Sequence, residues 1–327
     1  MLVLNSSEVE RLLTMKECIR VMGEALSARS RGETLQPPRS VLRLTDDSGT
    51  MFTMPAWVGT PAALGVKVIS VFPGNHRRGK ESHQGAVLSI DPKTGEILAL
   101  LEGGAVTAIR TAAVSAVATN LLARADADDL AILGAGVQAG THLRAMCDVR
   151  QIRRIRVWGR SRERTHQFAE STTAPPGVQI EVMQSPKEAV SGASIICTVT
   201  GSATPVLDGE WIAQGAHINA VGAHTAETRE LDTEAMTRAR IFVDARESAL
   251  SEAGELLIPI AEGRLSATDI QAELGEVILG TNHGRWSSAE ITLFKSLGLG
   301  IEDAVAAWHV VAEARRLSVG TEVSLLT

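Results

Sequence analysis

The stretch of sequence that decides the fold is Asp129-Leu130-Ala131-Ile132-Leu133-Gly134-Ala135-Gly136-Val137-Gln138-Ala139. An apolar run of strand type leads into a turn of the form G-x-G-x-x-A, and a helical segment follows. In such a turn the first glycine permits a sharp bend and the second lets the backbone approach a pyrophosphate. The small third residue lets helix and strand pack closely. The pattern predicts a dinucleotide-binding strand–helix unit.

The residues after Asp128 alternate between apolar runs and helical segments. The segments between the first four runs are long enough for crossover helices, which predicts parallel strands with right-handed connections. We therefore expect a Rossmann-type, doubly wound parallel sheet over residues 124–296. The predicted strands are Leu130–Leu133, Ile155–Trp158, Ile195–Thr200, His217–Val221 and Ile241–Val243.

The residues before this region show a different sequence pattern. Short β-rich runs separated by turn residues indicate an antiparallel or mixed sheet. A final apolar helix, Ile301–Leu317, follows a glycine-containing hinge at Gly298 and Gly300 and is expected to return to the first domain. The result is an α/β protein with a second, discontinuous α+β domain, residues 1–123 together with 297–327. The short β-rich runs that predict the sheet of this second domain are Ser40–Leu44, Thr50–Met54, Gly65–Phe72, Gly85–Ile90 and Ile97–Leu101.

The second predicted strand bears on which dinucleotide is bound. A chain selecting NAD places an acidic residue roughly 20 residues past the turn, where it accepts hydrogen bonds from the ribose hydroxyls. Here the strand runs into Gly159-Arg160-Ser161, without an acid at its tip. Because a guanidinium binds phosphate bidentately, this favours the 2′-phosphate of NADP(H), with NAD(H) as the alternative.

The expected cofactor site combines the glycine turn, the tip of the second strand and the carboxyl ends of later strands, where such sheets bind ligands. Lys295 and Ser296 are added as residues that would face the nicotinamide, with a structural role for Lys295 left open. The full set is Gly134, Ala135, Gly136, Val137, Gln138, Gly159, Arg160, Ser161, Thr198, Val199, Thr200, Val221, Lys295 and Ser296.

Composition narrows the function further. The 327 residues carry a net charge of −6 and contain no tyrosine, so reductases that protonate through a Tyr–Lys pair are excluded. Without a basic excess, nucleic acid is not an expected partner. Three widely spaced cysteines without a CxxC pair, and histidines without HxH or HExxH spacing, predict neither disulfides nor a metal site. No signal peptide or uninterrupted membrane-length apolar run is evident, and a cytoplasmic protein is expected.

Several segments, taken in order, resemble the ornithine cyclodeaminase/mu-crystallin family along nearly the whole chain. The resemblance is strongest to the branch that reduces ketimines. Beyond the glycine turn, the matching segments are Ser82-His83-Gln84, Ala105–Ala113, Gly215–Ala223, Glu273–Val277 and Phe294–Gly298.

The resemblance implies a homodimer whose contact involves the sheet of the first domain. It also implies that Arg39, Lys67 and Arg110 bind the substrate carboxylate. An α-imino acid must be oriented by its carboxylate, and arginine forks and a lysine ammonium suit that task. Lys67 is suggestive by itself, since an unpaired ammonium in an apolar strand would be costly.

One departure from the family bears on the chemistry. Cyclodeaminases place an aspartate, positioned for proton transfer, where this chain has His224. The resemblance therefore implies reduction by NAD(P)H of a cyclic α-imino acid, Δ1-pyrroline-2-carboxylate or Δ1-piperideine-2-carboxylate, to L-proline or L-pipecolate. Lys67, His83 and His224 are the candidate catalytic residues, the histidines as proton donors or relays. The alternative for His224 is contact with the cofactor or substrate without titration, and the alternative for His83 is a structural role.

Three alternatives remain open at this point. They are a cyclodeaminase-type lyase with bound NAD, an open-chain amino-acid dehydrogenase such as alanine dehydrogenase, and a non-catalytic binding protein like mu-crystallin. Catalytic use of NAD with ammonia release would distinguish the first from a reductase, which consumes NAD(P)H.

Overall fold

The computed structural model describes residues 1–46 and 48–324, apart from the side chains at positions 76 and 77. The chain forms two compact units. Unit 1 comprises Met1–Arg110 and Gly298–Thr327, and unit 2 comprises Thr111–Leu297.

The secondary structure begins with an α/β segment that extends to residue 122. Its elements are β1 (Leu2–Leu4), α1 (Ser6–Leu12), α2 (Met15–Ser30), β2 (Thr34–Leu35), β3 (Ser40–Arg43), β4 (Thr50–Val58), β5 (Ala63–Val71), a 3-10 turn (Pro73–Arg78), β6 (His83–Ile90), β7 (Ile97–Glu102) and α3 (Gly103–Leu122).

The rest of unit 2 alternates mostly between strand and helix. Its elements are β8 (Asp129–Leu133), α4 (Val137–Val149), β9 (Arg154–Trp158), α5 (Arg162–Ser171), β10 (Ile180–Val182), α6 (Pro186–Val190), β11 (Ile195–Thr198), β12 (His217–Ala220), α7 (Thr233–Arg238), β13 (Ala239–Val243), α8 (Arg246–Glu252), α9 (Gly254–Ala261), β14 (Ile270–Glu273), α10 (Leu274–Ile278) and β15 (Ile291–Lys295). Two elements of unit 1 close the chain, α11 (Gly300–Leu317) and β16 (Thr321–Glu322).

Unit 1 is built on an eight-stranded mixed sheet of order β16-β1-β7-β6-β5-β4-β2, with β3 also paired to β4. β1 runs parallel to β7, and the pairs from β7 through β4 are antiparallel. Along β5, residues alternate between buried and half-buried, so one face of the strand is packed. Helix α11 lies across β4 and β5 and also packs on α2. The mixed sheet expected from the sequence is confirmed.

Unit 2 contains an eight-stranded sheet of order β10-β9-β8-β11-β12-β15-β13-β14, in which every described pair is parallel. The chain runs outward from β8 to β10, then returns to place β11 on the other side of β8. This reversal creates the switch point at which such sheets bind ligands. The predicted Rossmann-type fold is confirmed.

Three strands of this sheet, β10, β14 and β15, were not predicted. β10 is short and carries Glu181, while β15 contains Thr292 and Lys295, so neither reads as a continuous apolar run. β15 also lies between β12 and β13, which precede it in the sequence. Strand order of this kind is set by tertiary packing and not by local pattern.

The division between the units corrects the expected domain boundary. It falls at Arg110/Thr111, inside α3, whereas the sequence suggested a boundary after residue 123. The second part of α3 packs within unit 2: the Thr119 hydroxyl accepts from the Asn219 amide at 3.0 Å, and the Leu122 carbonyl accepts from Arg285 at 2.6 Å.

Helix α3 begins at Gly103 itself, where Glu102 accepts from the backbone N–H groups of Gly104 and Ala105.

Helix α3 is long and apolar enough to cross a membrane by length and composition. However, 83% of its most apolar 18-residue window is buried inside the protein. A helix that is apolar on all sides and buried in this way is typical of the core of a globular protein.

Candidate active site

The glycine turn between β8 and α4 has the backbone geometry that its sequence predicts. Gly134 has φ +132°, and a Cβ there would lie 2.7 Å from the Val199 carbonyl oxygen, so a glycine is required. At Gly136, by contrast, a Cβ would meet no described atom within 4 Å. This open backbone begins α4 without a side-chain cap among the described residues, and Val137 beside it is 63% exposed. Exposed backbone at a helix N-terminus fits a pyrophosphate.

A buried histidine ties this helix to α3. His142 Nδ1 lies 2.8 Å from the Gln138 carbonyl oxygen, and Nε2 lies 3.0 Å from Ser115 Oγ. Burial lowers the pKa of His142 to about 4, so the ring is neutral at physiological pH. Because a carbonyl oxygen only accepts, Nδ1 carries the proton and Nε2 accepts from Ser115. The pair holds the first turn of α4 and was not predicted.

The tip of β9 places Arg160 at the surface, next to the start of α5. The Ser161 hydroxyl accepts from the backbone N–H of Arg164 and caps that helix. A Cβ at Gly159 would come within 2.6 Å of Thr165 Oγ1, so α5 approaches the strand closely here. Arg160, Arg162 and Arg164 are all exposed around this helix start. The charge and the helix dipole both suit an anion at this tip.

The carboxyl ends of β11 and β12 are joined by a residue that the sequence did not indicate. Glu230 is fully buried and accepts hydrogen bonds from residues at both strand ends, Thr198, Thr200 and Gly222. Burial raises its pKa, opposed by the bonds from Thr200. Of the predicted cofactor residues at these ends, Thr198 is buried, while Val199, Thr200 and Val221 are partly exposed.

The structure corrects the expectation that the Lys295 ammonium faces a nicotinamide. Lys295 is fully buried, and its Nζ donates to the carbonyl oxygens of Ala223 at 2.6 Å and Ala220 at 3.3 Å. It also pairs with Glu255 at 3.3 Å. These contacts give it the structural role that the sequence left open. Ser296 is buried as well, and its backbone N–H donates to Ala220.

The two candidate proton donors lie on loop or strand-end positions. His224, half-buried after β12, has Nδ1 3.2 Å from the Gly222 carbonyl oxygen. His83 is exposed at the start of β6, with Nδ1 2.9 Å from Ser82 Oγ. For His224, the carbonyl partner places a proton on Nδ1, so Nε2 accepts in the neutral ring and donates in the imidazolium.

In unit 1, two of the three predicted carboxylate-binding cations meet at Asp303 on α11. Lys67 Nζ lies 2.8 Å from Asp303 Oδ2, and Arg110 Nε lies 3.0 Å from Oδ1. Arg110 Nη1 also pairs with Glu302 at 2.9 Å. All four side chains are almost fully buried. The sequence argument that a buried Lys67 needs a partner is thus satisfied, although the partner itself was not predicted.

The third cation, Arg39, reaches the same region through Gly298. Its Nη2 donates to the Gly298 carbonyl oxygen at 3.1 Å. Gly298 has φ +78°, and a Cβ there would collide with the Arg110 guanidinium. Nearby, Gln36 Oε1 accepts from the backbone N–H of Ile301 at 3.0 Å, at the start of α11. Gly298 therefore brings Arg39 and Arg110 together, and a side chain at this position would separate them.

The charge balance of these five side chains determines what they can bind. Arg39, Lys67 and Arg110 carry three positive charges against two negative charges on Glu302 and Asp303, which leaves one positive charge. Burial and the neighbouring Arg110 lower the pKa of Lys67 to about 8, opposed by Asp303. A carboxylate would balance the remaining charge and stabilise the ammonium.

Sequence reasoning missed both acids and had little signal to find them. Glu302 and Asp303 lie in the first turn of α11, where acidic residues are common because they complement the helix dipole. Only the fold shows that they point to Lys67 and Arg110, which come from distant segments.

The fold and these sites define a class: a two-unit protein with a Rossmann-type parallel sheet in one unit and a buried cationic cluster in the other. The chain belongs to the ornithine cyclodeaminase/mu-crystallin family, whose model matches residues 1–317. This confirms the family expected from the sequence segments.

Individual relatives resemble nearly the whole chain. Delta(1)-pyrroline-2-carboxylate reductase of Bacillus cereus (strain ZK / E33L) is 39% identical over 324 residues, 99% of each chain. The ketimine reductase mu-crystallin of Mus musculus is 43% identical over 276 residues, 84% of each chain. The structure of Thermococcus litoralis Delta(1)-pyrroline-2-carboxylate reductase in complex with NADH and L-proline has a TM-score of 0.96 and 40% identity, and the match covers 99% of this chain and 100% of that one.

Proposed function

We propose that the chain is an NAD(P)H-dependent reductase of cyclic α-imino acids, converting Δ1-pyrroline-2-carboxylate or Δ1-piperideine-2-carboxylate to L-proline or L-pipecolate. The observation that carries this proposal is a net positive cluster, in which Lys67 and Arg110 pair with Asp303 and Arg39 donates to the Gly298 carbonyl oxygen. It is supported by relatives named as reductases of this kind, one of them solved with NADH and L-proline.

Each of the three cations has a defined part in the proposal. Lys67 and Arg110 would bind the substrate carboxylate from a rigid base, because Asp303 and Glu302 already fix their side chains. Arg39, with a half-exposed side chain, would complete the charge balance. Holding the reacting group in place in this way accounts for a large part of a rate enhancement.

The cofactor would be held in unit 2 by the Gly134–Ala139 turn, the Arg160 tip and the ends of β11 and β12. When bound, the reduced nicotinamide supplies the hydride that is added to the C=N carbon. The imine nitrogen must gain a proton, and His224, which follows β12, would supply it as a general acid. His83 is the alternative donor.

We also propose a preference for NADPH over NADH. The support is the absence of an acid in the Trp158–Ser161 tip, together with three exposed arginines at the start of α5. NADH remains an acceptable donor in this proposal, and the T. litoralis relative was solved with NADH. No metal takes part in the proposed reaction.

The decisive experiment is a steady-state assay with both cyclic imines and both reduced cofactors, followed by the loss of nicotinamide absorbance. Consumption of the cofactor in proportion to amino-acid product would support the proposal. If neither imine oxidises either cofactor, the reductase assignment fails. Release of ammonia from ornithine or lysine with only catalytic NAD would instead identify a cyclodeaminase-type lyase, and NAD-dependent oxidation of alanine an open-chain dehydrogenase.

We further propose a cytoplasmic homodimer. The edge of the unit 1 sheet formed by β2, β3 and β4 exposes several large apolar side chains, and exposed apolar surface of this kind is typical of surfaces that associate. The members are Leu35, Val41, Leu42, Leu44 and Met51. Leu42→Asp should lower the mass measured by analytical ultracentrifugation from dimer to monomer, and a wild-type monomer would contradict the proposal. The three cysteines, all free thiols, are compatible with a reducing compartment.

A further inference from the structure

One carboxylate fastens the ends of two adjacent parallel strands in unit 2. Glu230 belongs to neither strand, yet its Oε1 accepts from the backbone N–H and the hydroxyl of Thr200, both at 2.6 Å. Its Oε2 accepts from Thr198 Oγ1 at 2.8 Å and from the Gly222 N–H at 2.7 Å. Three donors from the β11 end and one from the β12 end thus hold the two strand ends in a fixed relation through this carboxylate.

The two strand ends approach each other so closely that only a glycine fits between them. A Cβ at position 222 would collide with the Thr200 carbonyl oxygen and lie 2.6 Å from Glu230 Oε1. Gly134, at the end of β8, is restricted in the same way by the Val199 carbonyl. The backbone at this edge of the sheet has little freedom to readjust if Glu230 is changed.

The segment that leads to His224 is also held from its other side. Lys295 donates to the carbonyl oxygens of Ala220 and Ala223, while Glu230 accepts from the N–H of Gly222 between them. Glu255 joins the two, because it accepts from the Glu230 N–H at 3.0 Å and pairs with Lys295 at 3.3 Å. Both polar faces of this backbone segment are therefore bound by buried charges.

A network of buried charges adds little net stability, because removing the charges from water costs free energy. Glu230, Glu255 and Lys295 are each fully buried, and buried ion networks are often no more stabilising than apolar side chains of similar volume. Its location is informative instead, because open parallel sheets bind ligands at the carboxyl ends of their strands. The polar groups of the network hold the backbone in place at the edge of the sheet where such sheets bind ligands.

We propose that Glu230 is a positioning residue, which sets the spacing of the β11 and β12 ends that would receive the nicotinamide. Together with Lys295, it also holds in place the backbone of residues 220–223, which leads into His224. The inference rests on the proposed dinucleotide binding by unit 2. It does not depend on which imine or amino acid is the substrate.

The test is the Glu230→Gln variant, which keeps the shape of the side chain. An amide has one acceptor oxygen, so its NH₂ group must face the backbone N–H of either Thr200 or Gly222, and that N–H loses its partner. The free-energy cost of leaving one buried N–H without an acceptor corresponds to about a 10- to 100-fold change in an equilibrium constant. We expect the dissociation constants of NADPH and NADH, measured by nicotinamide fluorescence without substrate, to rise by that factor.

Two further variants separate positioning from loss of stability. Asp129→Asn breaks the pair with the buried Arg156 at the amino end of β8, at the opposite edge of the same sheet. It should lower the unfolding temperature but leave both dissociation constants within about twofold, since it leaves the binding edge intact. Thr198→Val removes one donor to Glu230 from a side chain that is itself fully buried, and should raise the dissociation constants about threefold.

The outcomes distinguish this inference from the proposed function. If Glu230→Gln unfolds more easily but binds both cofactors as tightly as wild type, the positioning role is refuted and Glu230 is purely structural. The same conclusion follows if Thr198→Val and Glu230→Gln act additively, since both are expected to act through one contact. A wild-type chain that binds neither cofactor would overturn the proposed function and this inference with it.

Discussion

The glycine turn of unit 2 and the cationic cluster of unit 1 build binding sites by opposite means. The turn uses backbone from six consecutive residues, 134–139, and its chemistry depends on the absence of side chains at Gly134 and Gly136. The cluster uses charged side chains from four separate segments, around Arg39, Lys67, Arg110 and Asp303. A site made of contiguous backbone can be read from sequence, whereas a site made of converging charges requires the fold.

The largest effect is expected from Asp303→Asn, which breaks the centre of the cluster. Lys67 and Arg110 both lose their shared carboxylate, and breaking a buried ion pair costs about 3–5 kcal/mol. We expect a corresponding fall in the free energy of unfolding, measured by urea denaturation. The matched control on the same helix is Glu313→Gln, which removes the exposed pair with Arg316 and should cause no measurable change. Equal stability of the two variants would show that the cluster is not a charge-dependent unit.

The glycine turn should respond differently at its two glycines. Gly134→Ala combines a positive φ with a close approach to Val199, so it should lower apoprotein stability by about 1–3 kcal/mol and weaken NADPH binding about 10- to 100-fold. Gly136 has φ −110° and open space around it, so Gly136→Ala should leave the unfolding free energy unchanged.

Gly136→Ala should nevertheless weaken NADPH binding, because the added methyl would occupy the space in which the backbone approaches the pyrophosphate. Calorimetric titration and denaturant unfolding of both variants would measure the two effects separately. A Gly136→Ala variant with wild-type affinity would contradict the placement of the pyrophosphate at this turn.

The cluster should also show a pH dependence that the glycine turn lacks. Burial lowers the pKa of Lys67 to about 8, so the free enzyme loses this positive charge as the pH rises through that value. Binding of a carboxylate should be strongest below about pH 8 and should weaken about tenfold for each further pH unit, until the other cations limit the effect.

The measurement should use an inhibitor that does not titrate in this range, such as cyclopentanecarboxylate, at several pH values with saturating cofactor. Its inhibition constant is expected to rise above about pH 8, while the dissociation constant of NADPH follows no such transition. An inhibition constant that stays flat through this range would remove Lys67 from carboxylate binding.

The smallest effect is expected from Arg160→Ala at the tip of β9. Arg160 is exposed, so water partly screens its interaction with a 2′-phosphate. The interaction should therefore contribute about a five- to tenfold preference for NADPH over NADH. The Michaelis constant for NADPH should rise and that for NADH should stay constant. Arg153→Ala, at the other end of the same strand, is the control. Equal changes for both cofactors would refute the 2′-phosphate assignment.

The prediction of the fold from sequence was most accurate where elements follow local rules. β8, β9 and β12 were predicted to within a residue because each is a short run in a regular alternation of strand and helix patterns. β15 was missed because it buries Thr292 and Lys295, which have partners only in the folded chain. The boundary inside α3 was missed for a similar reason, since an apolar helix gives no sign of which unit each of its turns packs in.

The sequence by itself determined the parallel sheet and the glycine turn, and through family resemblance it selected Arg39, Lys67, Arg110 and His224 as candidate site residues. Only the tertiary structure decided that Asp303 holds Lys67 and Arg110, that Glu230 joins β11 to β12, and that Lys295 supports the backbone below His224. The physical reason is the same in each case. A turn is specified by the conformational freedom of its own residues, whereas a buried charge is specified by partners that the chain brings together only by folding.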